Sequence, residues 1–214
     1  KLAIENWAGV PGEVEVASEF RYRDPILNPH TLVIAISQSG ETTDTIAAAS
    51  HAADQRAPVL ALVNVVGSTL ARQADGVLYT HAGPEVAVAS TKAFTTQIVG
   101  CLLLGLYLAQ TRNALFRSEC QDILRRLQQL PPAIEQVLEM DGEIRALAER
   151  YTQVPYAMFI GRHAGLPIAY EGALKLKEIS YLHAEAFPAG EMKHGPIALV
   201  EEGSLVVAIA PAGH

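Results

Sequence analysis

Short apolar stretches rich in Val, Ile and Leu alternate along the chain with longer amphipathic or alanine-rich stretches. Such continuous apolar runs are typical of strands that are buried on both faces of a parallel sheet. Most of them lead through small polar residues into a helical pattern, which predicts an α/β fold with parallel sheets flanked by helices in three layers. The predicted strands are 30–36, 57–63, 76–80, 156–160 and 205–209, and the predicted helices are 43–53, 68–74, 90–110 and 167–180.

The charged stretch in the middle of the chain predicts a helical connector between two lobes. Residues 119–150 have helical periodicity, interrupted at Pro131 and Pro132 because proline lacks the N–H that a helix interior requires. We expect a first domain at 1–116, the connector at 117–146 and a second domain at 147–214.

A weak internal repeat supports two related lobes. A-S-E-F-R begins at Ala17 and precedes the strand at 33–36, whereas A-G-E-M-K begins at Ala189 and precedes the strand at 206–209. The matching order favours a duplication. It also predicts that the first copy lacks its opening strand and that the second lacks its C-terminal part.

Composition narrows the classes of function. Half of the 214 residues are hydrophobic, which excludes a mainly disordered chain, and a net charge of −7 without a basic block argues against nucleic acid or an anionic membrane as partner. Two cysteines form no disulfide framework, so a reducing compartment such as the cytoplasm is expected. The apolar run 98–109 is shorter than a membrane span and predicts a buried core helix. Beginning at Lys1 without an initiator Met, the sequence suggests a fragment or a processed chain.

The sharpest chemical signal is S-Q-S-G-E-T at Ser37–Thr42, here called the hydroxyl loop. It lies between a predicted strand and a predicted helix, whose N-terminus offers unpaired N–H groups and a positive dipole end. Three hydroxyls and a glycine at that point favour a phosphate-binding loop. Neither a Walker lysine nor a G-x-G-x-x-G pattern is present, which disfavours nucleotide binding. The alternative is an ordinary helix N-cap.

The stretch V-A-V-A-S-T-K at 86–92 leads into the long apolar helix. Backbone groups near Val88 and Ser90 are candidates to bind sugar hydroxyls. Equally, Ser90 and Thr91 are ordinary capping residues, and the residues alone leave both interpretations open.

Two charged motifs follow in the second lobe. Glu171, Lys175 and Glu178 share one helix face at i, i+4 and i+7, which suits either a proton-transfer pair or a solvated salt-bridge face. His194, in K-H-G-P, is a candidate to open a sugar ring by moving a proton, although a loop histidine without a role is the simpler interpretation. No His, Cys, Asp or Glu cluster has convincing metal spacing, and His183 is too distant in sequence from His194 to decide anything.

Taken together, the motifs resemble the isomerase half of the glucosamine-6-phosphate synthases (glutamine–fructose-6-phosphate aminotransferases), which is built from two sugar-isomerase (SIS) domains. The first two matching segments are A-S-E-F-R-Y-R and S-Q-S-G-E-T; the more specific ones are V-A-S-T-K-A-F-T-T-Q, E-G-A-L-K-L-K-E-I-S-Y, H-A-E-A and K-H-G-P. The resemblance runs along essentially the whole chain. It implies conversion of fructose 6-phosphate plus ammonia to glucosamine 6-phosphate without a metal or organic cofactor.

The resemblance also implies roles for individual residues. Val88 and Ser90 match sugar-contacting positions, and Glu178 matches the base that moves a proton between C1 and C2 of the open-chain sugar. Lys175 matches a lysine beside the reacting carbons. His194 matches the ring-opening histidine, which in the family reaches the neighbouring subunit's site and therefore implies a homodimer. The positions that match the phosphate-holding loop are Ser37, Gln38, Ser39 and Thr42.

Three departures from the family pattern set limits on the prediction. These residues contain no counterpart of the family's glutaminase domain, of its first SIS strand, or of its C-terminal tail with the Schiff-base lysine. We therefore expect this chain alone not to complete the reaction. Two alternatives are a standalone SIS-type glucosamine-6-phosphate deaminase or deglycase, and a sugar-phosphate-sensing module without turnover. V-A-S-T-K-A-F and L-K-L-K-E-I-S-Y favour the synthase over the deaminase.

Overall fold

The computed structural model describes residues 1–211, which divide between two compact units, one comprising Lys1–Leu127 and the other beginning at Gln128. Each unit contains a three-stranded parallel sheet, which confirms the predicted α/β class. The division after Leu127 falls inside the predicted connector 117–146.

In the first unit the sheet order is β1-β2-β3, with β1 at Val33–Ser37, β2 at Val59–Val63 and β3 at Gly76–Tyr79. Val33 lies opposite Val59, and Leu60 lies opposite Gly76. Helices α1 (Ala17–Arg23), α2 (Thr43–Asp54) and α3 (Thr69–Gln73) accompany the sheet. Alanines on α2, apolar side chains of β2 and Leu70 of α3 form the core: Ala49, Ala52, Val59, Ala61, Val63 and Leu70.

Helix α4 (Lys92–Thr111) packs against a π-helical segment at Ile4–Ala8. Gly105 permits the close approach, because a Cβ there would lie 3.3 Å from the ring of Trp7. The expectation of a buried helix is met in part: Leu104, Leu106 and Ala109 are buried, whereas Leu103 and Tyr107 are exposed. By length and composition α4 also qualifies as a membrane span, a criterion that core helices satisfy too. Helix α5 (Arg117–Leu127) ends the unit.

The second unit begins with α6 (Leu130–Leu138) and α7 (Asp141–Arg150). The expected helix break at Pro131 and Pro132 is wrong in its placement. Both prolines lie in the first turn of α6, where the missing N–H groups have no intrahelical partner to lose.

The sheet of the second unit has the order β5-β4-β6, with β4 at Tyr156–Gly161, β5 at His183–Pro188 and β6 at Leu205–Ile209. Helix α8 (Gly165–Ser180) packs its small residues Ala169 and Ala173 on β4. Gly172 lets α8 lie close to the sheet, because a Cβ at this position would be 2.9 Å from the Phe159 ring. Between β5 and β6 the chain forms two 3-10 segments, Ala189–His194 and Pro196–Leu199.

Candidate functional site

The hydroxyl loop connects β1 to α2 and is held by its own side chains. The Gly40 N–H donates to Ser37 Oγ at 3.0 Å, and Ser37 Oγ lies 3.1 Å from Thr42 Oγ1. Ser39 Oγ accepts from the Glu41 N–H at 3.1 Å. Gly40 has a φ of +65°, a left-handed conformation that glycine adopts without a Cβ penalty. These bonds fold the loop into a tight turn directly above the end of β1.

The start of α2 differs from an ordinary capped helix. Thr42 occupies the N-cap position in an extended conformation, yet among residues 1–211 no side chain caps this end of the helix. The loop hydroxyls bond to one another and to loop N–H groups instead. The first-turn N–H groups and the positive dipole end of α2 are therefore suited to an anion, as phosphate-binding helix termini are. Asp44, an acidic residue in that turn, is neutralised by Arg21 at 2.7 Å.

A cavity of about 530 Å³ opens beside Gln38 at the carboxyl edge of this sheet. Asn64 organises its wall: its Nδ2 donates to the Gly83 carbonyl at 2.8 Å, and its Oδ1 accepts from Thr80 and from the Ala82 N–H. The Asn64 N–H also donates to the Gln38 carbonyl at 3.1 Å. One residue thus joins the hydroxyl loop to the turn that follows β3. The lining residues are Gln38, Asn64, Val65, Val66, His81, Gly83, Pro84 and Glu85.

Val88 and Ser90 lie in the turn that precedes α4, where the Ser90 N–H donates to the Ala87 carbonyl at 3.2 Å. The Val88 side chain is 97% exposed, and Ser90 has a left-handed φ of +53°. The predicted cap of the long helix by Ser90 or Thr91 is wrong, because the carboxylate of Glu85 accepts the Ala93 N–H at 3.0 Å. The Ser90 side chain therefore does not cap α4, and its contact with a sugar stays a prediction.

Three charged side chains on α8, here called the α8 charge cluster, meet as the sequence spacing predicts. Lys175 Nζ lies 3.4 Å from Glu171 and 2.7 Å from Glu178. The three side chains are 22–35% exposed, so the cluster is not a fully solvated face. Burial lowers the pKa of Lys175, but the hydrogen bond to Glu178 and the charge of Glu171 outweigh it and leave this pKa above its usual value. Lys175 is accordingly a cation at neutral pH.

His194 is the last residue of the first 3-10 segment and is exposed. His183 lies on β5, where its Nε2 is 3.5 Å from Glu185, and both line a cavity of about 340 Å³. Within residues 1–211 no three His, Cys, Asp or Glu side chains are arranged to hold a metal ion. The structure thus brings Ser37, Ser39 and Thr42 together in one unit and Lys175 with Glu178 in the other.

The comparisons with known proteins decide the family. The sequence model of the SIS domain matches residues 1–107 and 152–214. The chain belongs to the SIS domain family. The matched ranges leave out all of α5, α6 and α7, which is where the sequence predicts the connector.

Curated relatives of this SIS chain include two bacterial enzymes named glutamine–fructose-6-phosphate aminotransferase (isomerizing). The protein from Corynebacterium glutamicum is 58% identical over 212 residues, which cover 99% of this chain and 34% of the relative. The protein from Mycobacterium tuberculosis is 53% identical over the same shares. The chain therefore spans about a third of the length of these relatives.

Solved structures agree with the family assignment. The C-terminal domain of glucosamine-fructose-6-phosphate aminotransferase from Francisella tularensis matches with a TM-score of 0.97 and 42% identity, over 100% of this chain and 61% of that one. A glucosamine-6-phosphate deaminase from Thermotoga maritima matches 97% of this SIS chain and 61% of its own, with a TM-score of 0.75 and 21% identity, and thus shares the fold.

Three residues that hold the loops of this SIS chain in place were not predicted from the sequence. Asn64 joins two loops, Glu85 caps α4, and Glu41 accepts the Thr69 N–H at 2.7 Å. Each contact links residues that are 8 to 28 positions apart. Only the Asn64 position carried a signal, since a polar residue directly after a buried strand lies at the ligand-binding edge of a parallel sheet.

Proposed function

We propose that this chain is the sugar-phosphate isomerase module of a glucosamine-6-phosphate synthase, acting in amino-sugar biosynthesis. The full-length protein would convert fructose 6-phosphate plus ammonia to glucosamine 6-phosphate. One observation carries the proposal: 99% of the chain aligns at 53–58% identity with aminotransferases of that name. The geometry of the hydroxyl loop supports it, because the uncapped start of α2 suits the phosphate of such a substrate.

Substrate binding is assigned to the first unit. Ser37, Ser39 and Thr42 supply hydroxyls, and Gln38 supplies an amide, to the phosphate oxygens next to the α2 N-terminus. Val88 and Ser90 contact the sugar through their backbone and hydroxyl groups. Fixing the phosphate places the carbon chain and removes translational freedom before the chemical step.

Proton transfer is assigned to the second unit. His194 opens the sugar ring by moving a proton between the ring oxygen and the anomeric hydroxyl. Ammonia condenses with the C2 carbonyl, water leaves, and the resulting imine makes the C1 proton more acidic. The Glu178 carboxylate takes that proton and returns it to C2, so that the amine stays on C2 and an aldehyde forms at C1. Lys175, 2.7 Å away, forms an ion pair with this carboxylate.

We also propose the surroundings of the module. The full-length protein is a cytoplasmic homodimer in which a glutaminase domain provides the ammonia, in agreement with the glutamine named for the relatives. Neither nucleic acid nor membrane is a partner, and no cofactor takes part. The boundaries 1–116, 117–146 and 147–214 are proposed for the two SIS domains and their connector.

The test is formation of glucosamine 6-phosphate by the purified full-length protein from fructose 6-phosphate, with ammonia or glutamine as the nitrogen source. Formation with both sources supports the proposal. Consumption of glucosamine 6-phosphate without synthesis would favour a deaminase. Binding of either sugar phosphate without turnover would favour a sensing module.

Subunit complementation tests the dimer. If His194 acts in the partner's site, equal mixing of the Ser37→Ala and His194→Asn variants creates mixed dimers with one intact site, assayed at a fructose 6-phosphate concentration too low for either variant to turn over alone. We expect recovery of about a quarter of the wild-type rate after subunit exchange. Absence of recovery, with exchange verified by mass, contradicts action across the dimer.

A further inference from the structure

The first turn of α3 docks on the hydroxyl loop. The Leu70 N–H donates to the Gly40 carbonyl at 3.0 Å, and the Thr69 N–H donates to the Glu41 carboxylate at 2.7 Å. Two N–H groups that a helix cannot satisfy internally are thus satisfied by loop atoms. These two hydrogen bonds therefore hold the hydroxyl loop against the start of α3.

The negative charge of Glu41 is unfavourable for phosphate binding at this position in the loop. The hydrogen bonds from the backbone N–H and hydroxyl of Thr69, together with the charge of Arg72, hold the pKa of Glu41 below its usual value, so its carboxylate is ionised. A negative charge in a loop that binds phosphate repels the ligand. A neutral side chain would bind phosphate better unless the carboxylate serves another purpose.

Ser68 shows how closely the two pieces fit. It is 3% exposed, and its hydroxyl is the one buried side-chain oxygen or nitrogen without a hydrogen-bond partner among the described residues. A Cβ on Gly40 would lie 2.1 Å from that oxygen. Ser68 therefore prevents the hydroxyl loop from moving closer to α3. The hydrogen bonds from the N–H groups of Thr69 and Leu70 keep the loop from moving away.

We propose that Glu41 is a positioning residue, whose bond to the Thr69 N–H fixes the hydroxyl loop on α3 in the conformation that receives the phosphate. Glu41 itself does not touch the substrate. The inference rests on the proposed function, because it assumes that the loop binds a sugar phosphate.

A matched pair of variants isolates the bond. Thr69 is the first residue of α3, a position that accepts proline, and Ser68 has φ −61° and ψ 163°, which suits a residue before proline. Thr69→Pro removes the N–H donor, whereas Thr69→Ala keeps it and removes the hydroxyl and the γ-methyl group. In the full-length protein we expect Thr69→Pro to raise the KM for fructose 6-phosphate about tenfold over Thr69→Ala, with kcat within about twofold.

Glu41 is varied in parallel. Glu41→Ala should raise the KM as Thr69→Pro does, and Glu41→Gln, which keeps an acceptor oxygen and loses the repelling charge, should restore it to the wild-type value or below. Glu13→Gln removes the same charge from an exposed site outside the loop and should change nothing. If Thr69→Pro fails to fold, the Glu41 pair decides the question.

Calorimetric binding of fructose 6-phosphate, measured beside turnover, separates the two proposals. Equal KM values for Glu41→Ala and Glu41→Gln in an active enzyme overturn the positioning role alone. Wild-type binding without turnover overturns the proposed function, while the ratio of dissociation constants still decides the role of Glu41. Absence of wild-type binding overturns both.

Discussion

The ammonium nitrogen of Lys175 lies 2.7 Å from the carboxylate of Glu178, one turn further along α8. Glu171, one turn in the other direction, lies 3.4 Å from the same nitrogen. The two carboxylates share one cation but are not equivalent, because only Glu178 is assigned the proton transfer. Replacing each in turn separates chemistry from electrostatics.

Glu178→Gln should lower kcat for glucosamine 6-phosphate formation by about 100-fold or more, with little change in KM, because the amide cannot accept the C1 proton. Glu171→Gln removes the same charge from the same cation and should cost less than about tenfold. Steady-state kinetics of the full-length protein measure both. Equal losses in the two variants would contradict a specific role for Glu178.

The ion pairs of Lys175 should make stability depend on pH at the alkaline end. The folded pKa of Lys175 is above the ordinary lysine value, so the stabilisation is complete at neutral pH and disappears as the pH rises through the folded pKa. Urea unfolding should therefore show a stability difference between wild type and Lys175→Met near pH 7 that shrinks as the pH rises past the ordinary lysine pKa of about 10.4. A difference that stays constant over this range would show that packing, rather than charge, is lost.

Ser37→Ala should damage both stability and substrate binding. Ser37 is buried, and its hydroxyl accepts the Gly40 N–H while bonding to Thr42, so the variant leaves a buried donor unpaired. We expect a loss of about 1–3 kcal/mol in the free energy of unfolding and a higher KM. Ser39→Ala, which removes a more accessible hydroxyl, should raise the KM without this loss of stability. Unchanged stability in Ser37→Ala would contradict the role of its hydroxyl in shaping the loop.

Gly40→Ala should destabilise the protein by more than about 2 kcal/mol, because a β-carbon there meets Ser68 and the left-handed φ penalises it as well. Ser68→Gly removes both clashing atoms, and glycine is tolerated at a helix N-cap. The double variant should therefore regain part of the loss, but not the share that is due to φ. A double-mutant cycle measures the coupling; purely additive effects would contradict the clash.

Asn64→Asp should be less harmful than Asn64→Ala. The carboxylate keeps the acceptor for Thr80 and Ala82 but places an oxygen against the Gly83 carbonyl, whereas alanine loses every side-chain bond. We expect about 1–3 kcal/mol of destabilisation for alanine. Chemical denaturation gives the order of the variants, and Thr80→Val, which removes one of the three bonds, provides the intermediate case.

Local patterns predicted most of the elements because apolar runs and glycines act over short distances. The strand predicted at 57–63 is β2, and the helix predicted at 43–53 is α2. Strand β5 was missed because His183 and Glu185 put polar side chains on one face of a short H-A-E-A-F stretch. Its strand character comes from pairing with β4, which the stretch itself does not encode.

In the candidate site, residues that are close together along the chain were predictable, whereas the tertiary hydrogen bonds that hold them were not. The hydroxyls of Ser37, Ser39 and Thr42 are close in sequence, so their meeting in one loop followed from the strand–loop–helix pattern. The bonds that hold that loop come from Asn64, 26 positions after its partner Gln38, and from Thr69, 28 positions after its partner Glu41. A tertiary hydrogen bond of this kind leaves no periodic trace, because any polar residue after a strand has the same local appearance.

The bond between the hydroxyls of Ser37 and Thr42 has a consequence for selectivity. Either hydroxyl can donate this bond, and a ligand that recruits the donating proton must first break a neutral hydrogen bond, so the net gain is the difference between the new bond and the old one. An uncharged sugar hydroxyl replaces like with like and gains almost nothing. A phosphate dianion forms shorter, charge-assisted bonds of roughly twice the strength. If the loop binds the substrate phosphate as proposed, the resting loop discriminates against unphosphorylated sugars by charge rather than by shape.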